Sequence, residues 1–201
     1  MGPPGEVRPL REAVIAFTGE VRGEIEPCGC PTVPYGGFAR RDAFLGELRA
    51  EGVPVFVLDA GEMLVRGQVA ADPGDRPERA RAVLDLALKS GLDAWAPAPV
   101  DLLAGGLTPL AGTNALSATW RDAAGAPLFP ASTVLERDGF RLGVIGLSAP
   151  VAELGSVDPV EAARAAIAAG GPADAWVALS NLPEAEARRV AEGVPGLGAV
   201  L

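Results

Sequence analysis

The chain contains no histidine, and Cys28 and Cys30 are its only cysteines among 201 residues. The first absence excludes an imidazole base, an imidazole metal ligand or a Ser–His pair within this polypeptide. The second leaves one nucleophilic, metal-attracting or redox-competent segment, Glu26-Pro27-Cys28-Gly29-Cys30-Pro31. Lysine is almost missing: all but Lys89 of the 17 basic residues are arginine. Against 26 acidic residues they give a net charge of −9 with no basic cluster, so nucleic acid and anionic membrane are poor partners. No apolar run reaches the ~18 residues a membrane span needs, and no membrane insertion is expected. Met1–Leu10 has Pro and Gly where a signal peptide places its apolar core. The protein is cytoplasmic if Met1 is its native start, and otherwise a leader has been removed.

What is present is an ordinary globular balance, 49% apolar and 21% charged residues, long enough for one sizeable core. A single domain over 1–201 is expected. Apolar runs alternate with amphipathic stretches, which reads as α/β. Ala13–Phe17, Val53–Leu58, Asp93–Ala96, Ala175–Leu179 and Leu197–Leu201 read as strands, and Gly37–Ala50, Pro77–Ser90, Pro159–Ala169 and Pro183–Glu192 as helices. A short helix is expected near Val100–Ala104. Ala131–Glu136 and Phe140–Leu147 flank Asp138-Gly139, a hairpin dipeptide. The loop from Thr18 to Gly36 holds three prolines and both cysteines.

The order of the strand-end motifs carries a resemblance. Ile15-Ala16-Phe17-Thr18-Gly19-Glu20-Val21-Arg22-Gly23-Glu24-Ile25-Glu26-Pro27 followed by Gly36-Gly37-Phe38-Ala39-Arg40-Arg41 resembles the opening of a 5′-nucleotidase of the calcineurin-like metallophosphoesterase superfamily. That family opens Thr-Asn-Asp-x-His-Gly-x-x-Glu-Pro and continues to Gly-Gly-x-Ala-Arg. Leu58-Asp59-Ala60-Gly61-Glu62 is similar to its Leu-Asp-x-Gly-Asp, and Leu92-Asp93-Ala94 through Val100-Asp101 sits where it has Gly-Asn-His-Glu. Arg141–Leu147 resembles its Ile-Gly-Val-Ile-Gly-Leu strand, and Ala178–Leu182 its Leu-Ser-His-Leu. The resemblance implies a metallophosphoesterase-like layered α/β sandwich with mixed sheets, shortened at the C-terminus, and work in the periplasm or cell envelope.

The family's two-metal centre activates water and clamps a phosphoryl group. On the resemblance, Glu20 stands for the first Asp, Arg22 for its His and Glu62 for the bridging Asp. Pro99 and Val100 stand for the Asn and His of the next block, and Asn181 for the later His; the terminal Gly-His-x-His loop would fall beyond Leu201. Proline and valine offer no side-chain ligand, and a guanidinium repels a cation. The resemblance therefore implies a pseudoenzyme scaffold without two-metal hydrolysis. Arg22, two residues from Glu20 at a strand end, is expected to fill the former metal space and pair with Glu20 and Glu62. The alternative is that all three are ordinary surface charges.

Cys28 and Cys30 have several readings. A disulfide between residues two apart closes a small ring, so it crosslinks little chain and tends to be strained and oxidising. Thiol exchange suits it better than stapling. Two thiolates also hold a soft ion such as Cu(I) or Hg(II), or half of a zinc site whose other ligands would come from Glu24, Glu26 or a second subunit. The plain alternative is two small residues in a rigid turn, with Gly29 chosen for its dihedrals. The Cys-Gly-Cys segment resembles a branch of the family, the UshA-like (seleno)proteins, some of which carry selenocysteine near such a pair. That resemblance implies redox or soft-metal chemistry.

The expected function is thiol redox or soft-metal handling at Cys28 and Cys30, with a redox or electron-transfer protein as partner. The alternatives are a binding module on the same scaffold, or residual phosphoesterase activity.

Overall fold

The computed structural model describes residues 12–30, 32–33, 35–65 and 76–201. Met1–Leu10 and Pro31, read above, lie outside them. Nine strands and four helices are formed among the described residues: β1 Val14–Thr18, α1 Phe38–Ala50, β2 Val55–Asp59, α2 Arg76–Lys89, β3 Ala94–Trp95, β4 Trp120–Arg121, β5 Ser132–Arg137, β6 Phe140–Leu147, β7 Gly155–Ser156, α3 Pro159–Gly170, β8 Ala175–Ser180, α4 Glu184–Gly193 and β9 Leu197–Val200. Pro99–Ala104 and Thr108–Leu110 are 3-10 turns.

The period-2 alternation of the strands builds four layers. In β2, Val55 and Val57 pack with Leu45 of α1, while Phe56 and Leu58 point the other way. They meet Leu142 and Val144 of β6 and Val177 and Leu179 of β8, so two sheets share a core. On the outer face of the second sheet, Ile145, Leu147, Trp176 and Ala178 pack against Ala162, Ala163 and Ala166 of α3 and Val190 of α4. Small residues on α3 permit this approach. At its end a Cβ on Gly170 would stand 2.2 Å from the Trp176 ring. Each fully buried Leu, Val or Phe contributes ~1.5–3 kcal/mol, so the shared face is the main source of stability.

The first sheet is parallel in the order β1-β2-β3, and the second runs β5-β6-β8-β9. Only the β5–β6 pair of that sheet is antiparallel. Its hairpin has the expected turn: Asp138 and Gly139 both take positive φ, 49° and 76°. The β4–β7 ribbon has no signal in the sequence, because two-residue strands carry no periodicity. Trp95, Trp120 and Trp176 are all core residues, and none forms a platform.

The parallel strands bring their carboxyl ends to one end of the sandwich. Open α/β sheets place their sites there, and the chain segments after β1, β2, β3 and β8 meet there.

Candidate functional site

Two segments, residues 18–23 after β1 and 60–63 after β2, run side by side through backbone hydrogen bonds. Ala60 N donates to Thr18 O at 2.8 Å, Glu20 N to Gly61 O at 2.9 Å, Arg22 N to Glu62 O at 2.8 Å and Gly23 N to Met63 O at 2.9 Å. Glu20, Arg22 and Glu62 take left-handed backbone with φ of 57°, 54° and 54°. This region costs an L-residue roughly 1–2 kcal/mol. Only two other described non-glycine residues, Asn114 and Asp138, have positive φ, so strained backbone concentrates at this spot.

The strain brings three side chains together. Arg22 Nη2 lies 2.7 Å from Glu20 Oε2, and Arg22 Nε lies 3.4 Å from Glu62 Oε2. The expected trio is formed, but by a different route. β1 stops at Thr18, so strand alternation does not put Glu20 and Arg22 on one face; left-handed turns do.

Beneath the trio, buried carboxylates hold the loops. Asp59 accepts from Thr18 Oγ1 at 2.6 Å and from Gly61 N at 2.8 Å, which makes it the residue that holds the turn after β2. Asp101 accepts from Glu62 N at 3.0 Å, Leu64 N at 2.8 Å and Ala98 N at 2.9 Å, fixing the turn that presents Glu62. Burial pushes Asp59 up to about 7 and Asp101 up to about 6. Asp101 does not stand out as a site residue in the sequence. Its one signal is its place two residues after Pro99 in a Pro-Val-Asp segment, suited to accepting N–H groups at a helix start.

Asn181 clamps the two sheets at the same end. Its Nδ2 donates to the carbonyls of Ala60 and Ala96, both at 3.1 Å, and of Pro97 at 3.3 Å. Its Oδ1 accepts from Ala149 N at 2.8 Å. Gly61 fits beneath it only as glycine: its φ is 106°, and a Cβ would stand 2.4 Å from Ala96 O and 2.9 Å from Asn181 Nδ2. Pro99 and Val100 are half-buried at the head of the 3-10 turn, Val100 packed on the core.

This donor set does not suit a two-metal centre. Arg22 brings positive charge between the two carboxylates. The oxygen and nitrogen of Asn181 are both committed to backbone, and Pro99 and Val100 bring no donor atom. Among the described residues no group of three or more His, Cys, Asp or Glu is placed to hold a metal ion. No hydrolytic step through such ions follows from these side chains.

The cysteines stand on the lip of this end. Phe38 N donates to Ile25 O at 3.0 Å, closing the base of the excursion between them. Gly37 is obligatory there, with φ of 83° and a Cβ position 2.7 Å from Pro27 N. Cys28 N donates to Tyr35 O at 2.8 Å, and Tyr35 N donates back to Cys28 Sγ at 3.1 Å. Cys28 and Cys30 are free and exposed. Backbone N–H groups of Tyr35 and Cys30, with the Arg40 charge behind them, hold the Cys28 thiol below its ordinary range. The N–H groups of Val33 and Thr32 and the Thr32 hydroxyl, 3.8 Å away, do the same for Cys30. An open groove of about 880 Å³ is lined by Cys28, Gly29, Tyr35, Arg79 and the carboxylates Glu20, Glu24 and Glu26. Glu20 thus belongs both to the Arg22 cluster and to the groove at Cys28.

No protein-family model matches the sequence, and no curated protein matches it. Solved structures do. A 5′-nucleotidase precursor of Thermus thermophilus superposes with a TM-score of 0.74 at 23% identity, covering 92% of this chain and 40% of that one. The sulfate thiohydrolase SoxB of the same organism gives 0.71 at 20% identity, over 97% of this chain and 48% of that one. The calcineurin-like phosphoesterase YfkN of Bacillus subtilis gives 0.70 at 16%, over 92% and 70%. The chain therefore spans less than half the length of the first two. Four layers around two sheets, with loops converging at the strand ends, are thus the fold of the 5′-nucleotidase and calcineurin-like phosphoesterases.

Proposed function

We propose that this chain uses a phosphoesterase-type fold without two-metal hydrolysis and works through Cys28 and Cys30 in thiol–disulfide exchange with a redox partner protein. The observation that carries this reading is the state of Gly29. Its φ lies outside the left-handed region, and a Cβ there would meet nothing within 4 Å. The dithiol form therefore has no need of glycine between the cysteines, unlike Gly37 or Gly61. The small ring closed by a Cys28–Cys30 bond does restrict its middle residue, so glycine is accounted for by the oxidised form. This weakens the rigid-turn reading, in which Gly29 serves the reduced backbone. Exposure of both thiols and the N–H groups aimed at them favour the thiolate, the nucleophilic form.

A second reading is soft-metal binding, favoured by the same donated N–H groups and the carboxylate-lined groove. Two thiolates suit Cu(I) or Hg(II); zinc would need further ligands from a partner subunit. We place either activity in the cell envelope, in line with the resemblance. Among the described residues no helix is long and apolar enough to cross a membrane.

The test is redox cycling followed by mass. The wild type is expected to lose two hydrogens on mild oxidation and regain them with a dithiol, whereas Cys28→Ser and Cys30→Ser do neither. Unchanged mass in the oxidised wild type sinks the exchange reading. Thiophilic metal at about one ion per chain after reductive purification would favour the second reading instead. Phosphatase activity with added manganese should stay at background, and clear turnover would overturn the loss of hydrolysis.

A further inference from the structure

The reduced cysteine turn is held by donors that a disulfide accepts from poorly. Tyr35 N donates to Cys28 Sγ at 3.1 Å, and Thr32 Oγ1 lies 3.8 Å from Cys30 Sγ. Tyr35 keeps its place from outside the Cys-Gly-Cys turn. Its carbonyl accepts from Cys28 N at 2.8 Å, and Phe38 N donating to Ile25 O closes the excursion behind it. A backbone N–H bonds more strongly to a thiolate than to an uncharged disulfide sulfur. Resting on the exchange reading above, we propose that Tyr35 is a positioning residue whose N–H favours reduced Cys28 and so makes the pair a disulfide donor, an oxidant of dithiols on its partner protein.

The direction follows from which state gains the contacts. Interactions made only in the reduced form raise the reduction potential, because they favour the uptake of two electrons. The Arg40 charge and the N–H groups of Cys30, Thr32 and Val33 act in the same sense, since each favours a thiolate. The small ring of a Cys28–Cys30 bond adds strain to the oxidised form alone. In the reduced turn Gly29 has ordinary φ and free space where a Cβ would stand. Stabilised thiols and a strained disulfide therefore push the couple the same way.

In the reaction one substrate thiol gives its proton to solvent, and its sulfur attacks Cys30 Sγ of the internal disulfide. A Cys30–S bond forms, the Cys28–Cys30 bond breaks, and Cys28 leaves as a thiolate that accepts the Tyr35 N–H. The better-stabilised thiolate is the better leaving group, which selects Cys28 for that role. The second substrate thiol gives its proton to solvent and attacks the substrate sulfur bound to Cys30. The substrate disulfide forms, the mixed disulfide breaks, and Cys30 leaves and is protonated by solvent. The substrate has lost two electrons, and the cysteine pair has gained two. A low-molecular-weight disulfide restores the oxidised pair by the same steps in reverse and is itself reduced to two thiols.

The test compares Tyr35→Pro, which removes the N–H, with Tyr35→Ala, which keeps it and changes only an exposed side chain. Each protein is equilibrated in glutathione and dithiothreitol redox buffers, and its internal disulfide is quantified by mass. The proline variant should be less oxidising than the alanine variant by about tenfold in the exchange constant, or about 30 mV. In the wild type, amide hydrogen exchange at Tyr35 should be at least about tenfold faster in the oxidised than in the reduced protein, a readout that needs no variant. A Tyr35→Pro potential no lower than that of Tyr35→Ala, or equal Tyr35 protection in the two states, would overturn the inference while the internal disulfide still forms. If the wild type forms no internal disulfide in any buffer, the exchange reading itself fails and takes this inference with it.

Discussion

The clamp around Asn181 and the turn around Cys28 sit at the same end of the sandwich and obey opposite rules. At Asn181 every polar atom of the side chain is spent on backbone, and Gly61 is packed so that no other residue fits. At Cys28 and Cys30 the sulfurs are exposed, and the glycine between them is uncrowded. The contrast teaches how a scaffold divides its work. At the positions that resemble metal ligands, Asn181 is committed to backbone and Arg22 pairs with Glu20 and Glu62, while both thiols on the adjacent loop are exposed.

Gly61→Ala attacks the rigid side of the comparison and carries the largest expected effect. A Cβ 2.4 Å from Ala96 O and 2.9 Å from Asn181 Nδ2, at φ 106°, collides with the segment after β3 and with the Asn181 clamp. A loss of about 3 kcal/mol or more is expected in chemical denaturation. Asn181→Ala should follow with about 2–4 kcal/mol, because it strips hydrogen bonds from the carbonyls it holds. A small loss in both would mean the clamp is looser than its geometry.

The buried carboxylates sharpen the same contrast through pH. The folded protein keeps a proton on Asp59 that the unfolded chain has released, so this group makes stability fall as pH rises from 3.8 toward about 7. Asp59→Asn should flatten that decline relative to the wild type in denaturation series across this window. Parallel curves for the two proteins would place the Asp59 charge elsewhere in the balance.

Arg22 tests the boundary between the two regions. Its ion pairs are exposed, worth about 0–1 kcal/mol, and its left-handed backbone costs about as much. Arg22→Gly trades one for the other, so stability should stay within about 0.5 kcal/mol of wild type. A loss above about 2 kcal/mol would show that the guanidinium holds the Glu20 and Glu62 turns together.

Much of this organisation was legible in the chain. Asp138-Gly139 announced its hairpin, and Pro159–Ala169 announced a helix, because turn chemistry and side-chain spacing are local properties. The ordered motifs located Glu20, Arg22, Glu62 and Asn181 at strand ends. The sequence could not show that Asn181 had become a clamp, since its partners Ala60, Ala96, Pro97 and Ala149 are backbone groups any residue would offer. Nor could it reveal that Tyr35 folds back on Cys28, or that Glu20 and Arg22 meet through left-handed turns. The second depends on long-range pairing between segments 18–23 and 60–63, which no local pattern encodes.

The smallest structural perturbation leads to the central claim. Gly29→Ala should leave the reduced protein as stable as wild type, because a Cβ there meets nothing. It should shift the reduction potential of the Cys28–Cys30 pair to a more positive value, because the closed ring then carries more strain. The direct measurement is that potential, obtained by equilibrating wild type and Gly29→Ala in thiol–disulfide buffers and quantifying the internal disulfide by mass. The account predicts a reversible couple above about −300 mV in the wild type, raised further by the alanine. Failure of the pair to form an internal disulfide at any buffer potential, or an identical potential in both proteins, would contradict it.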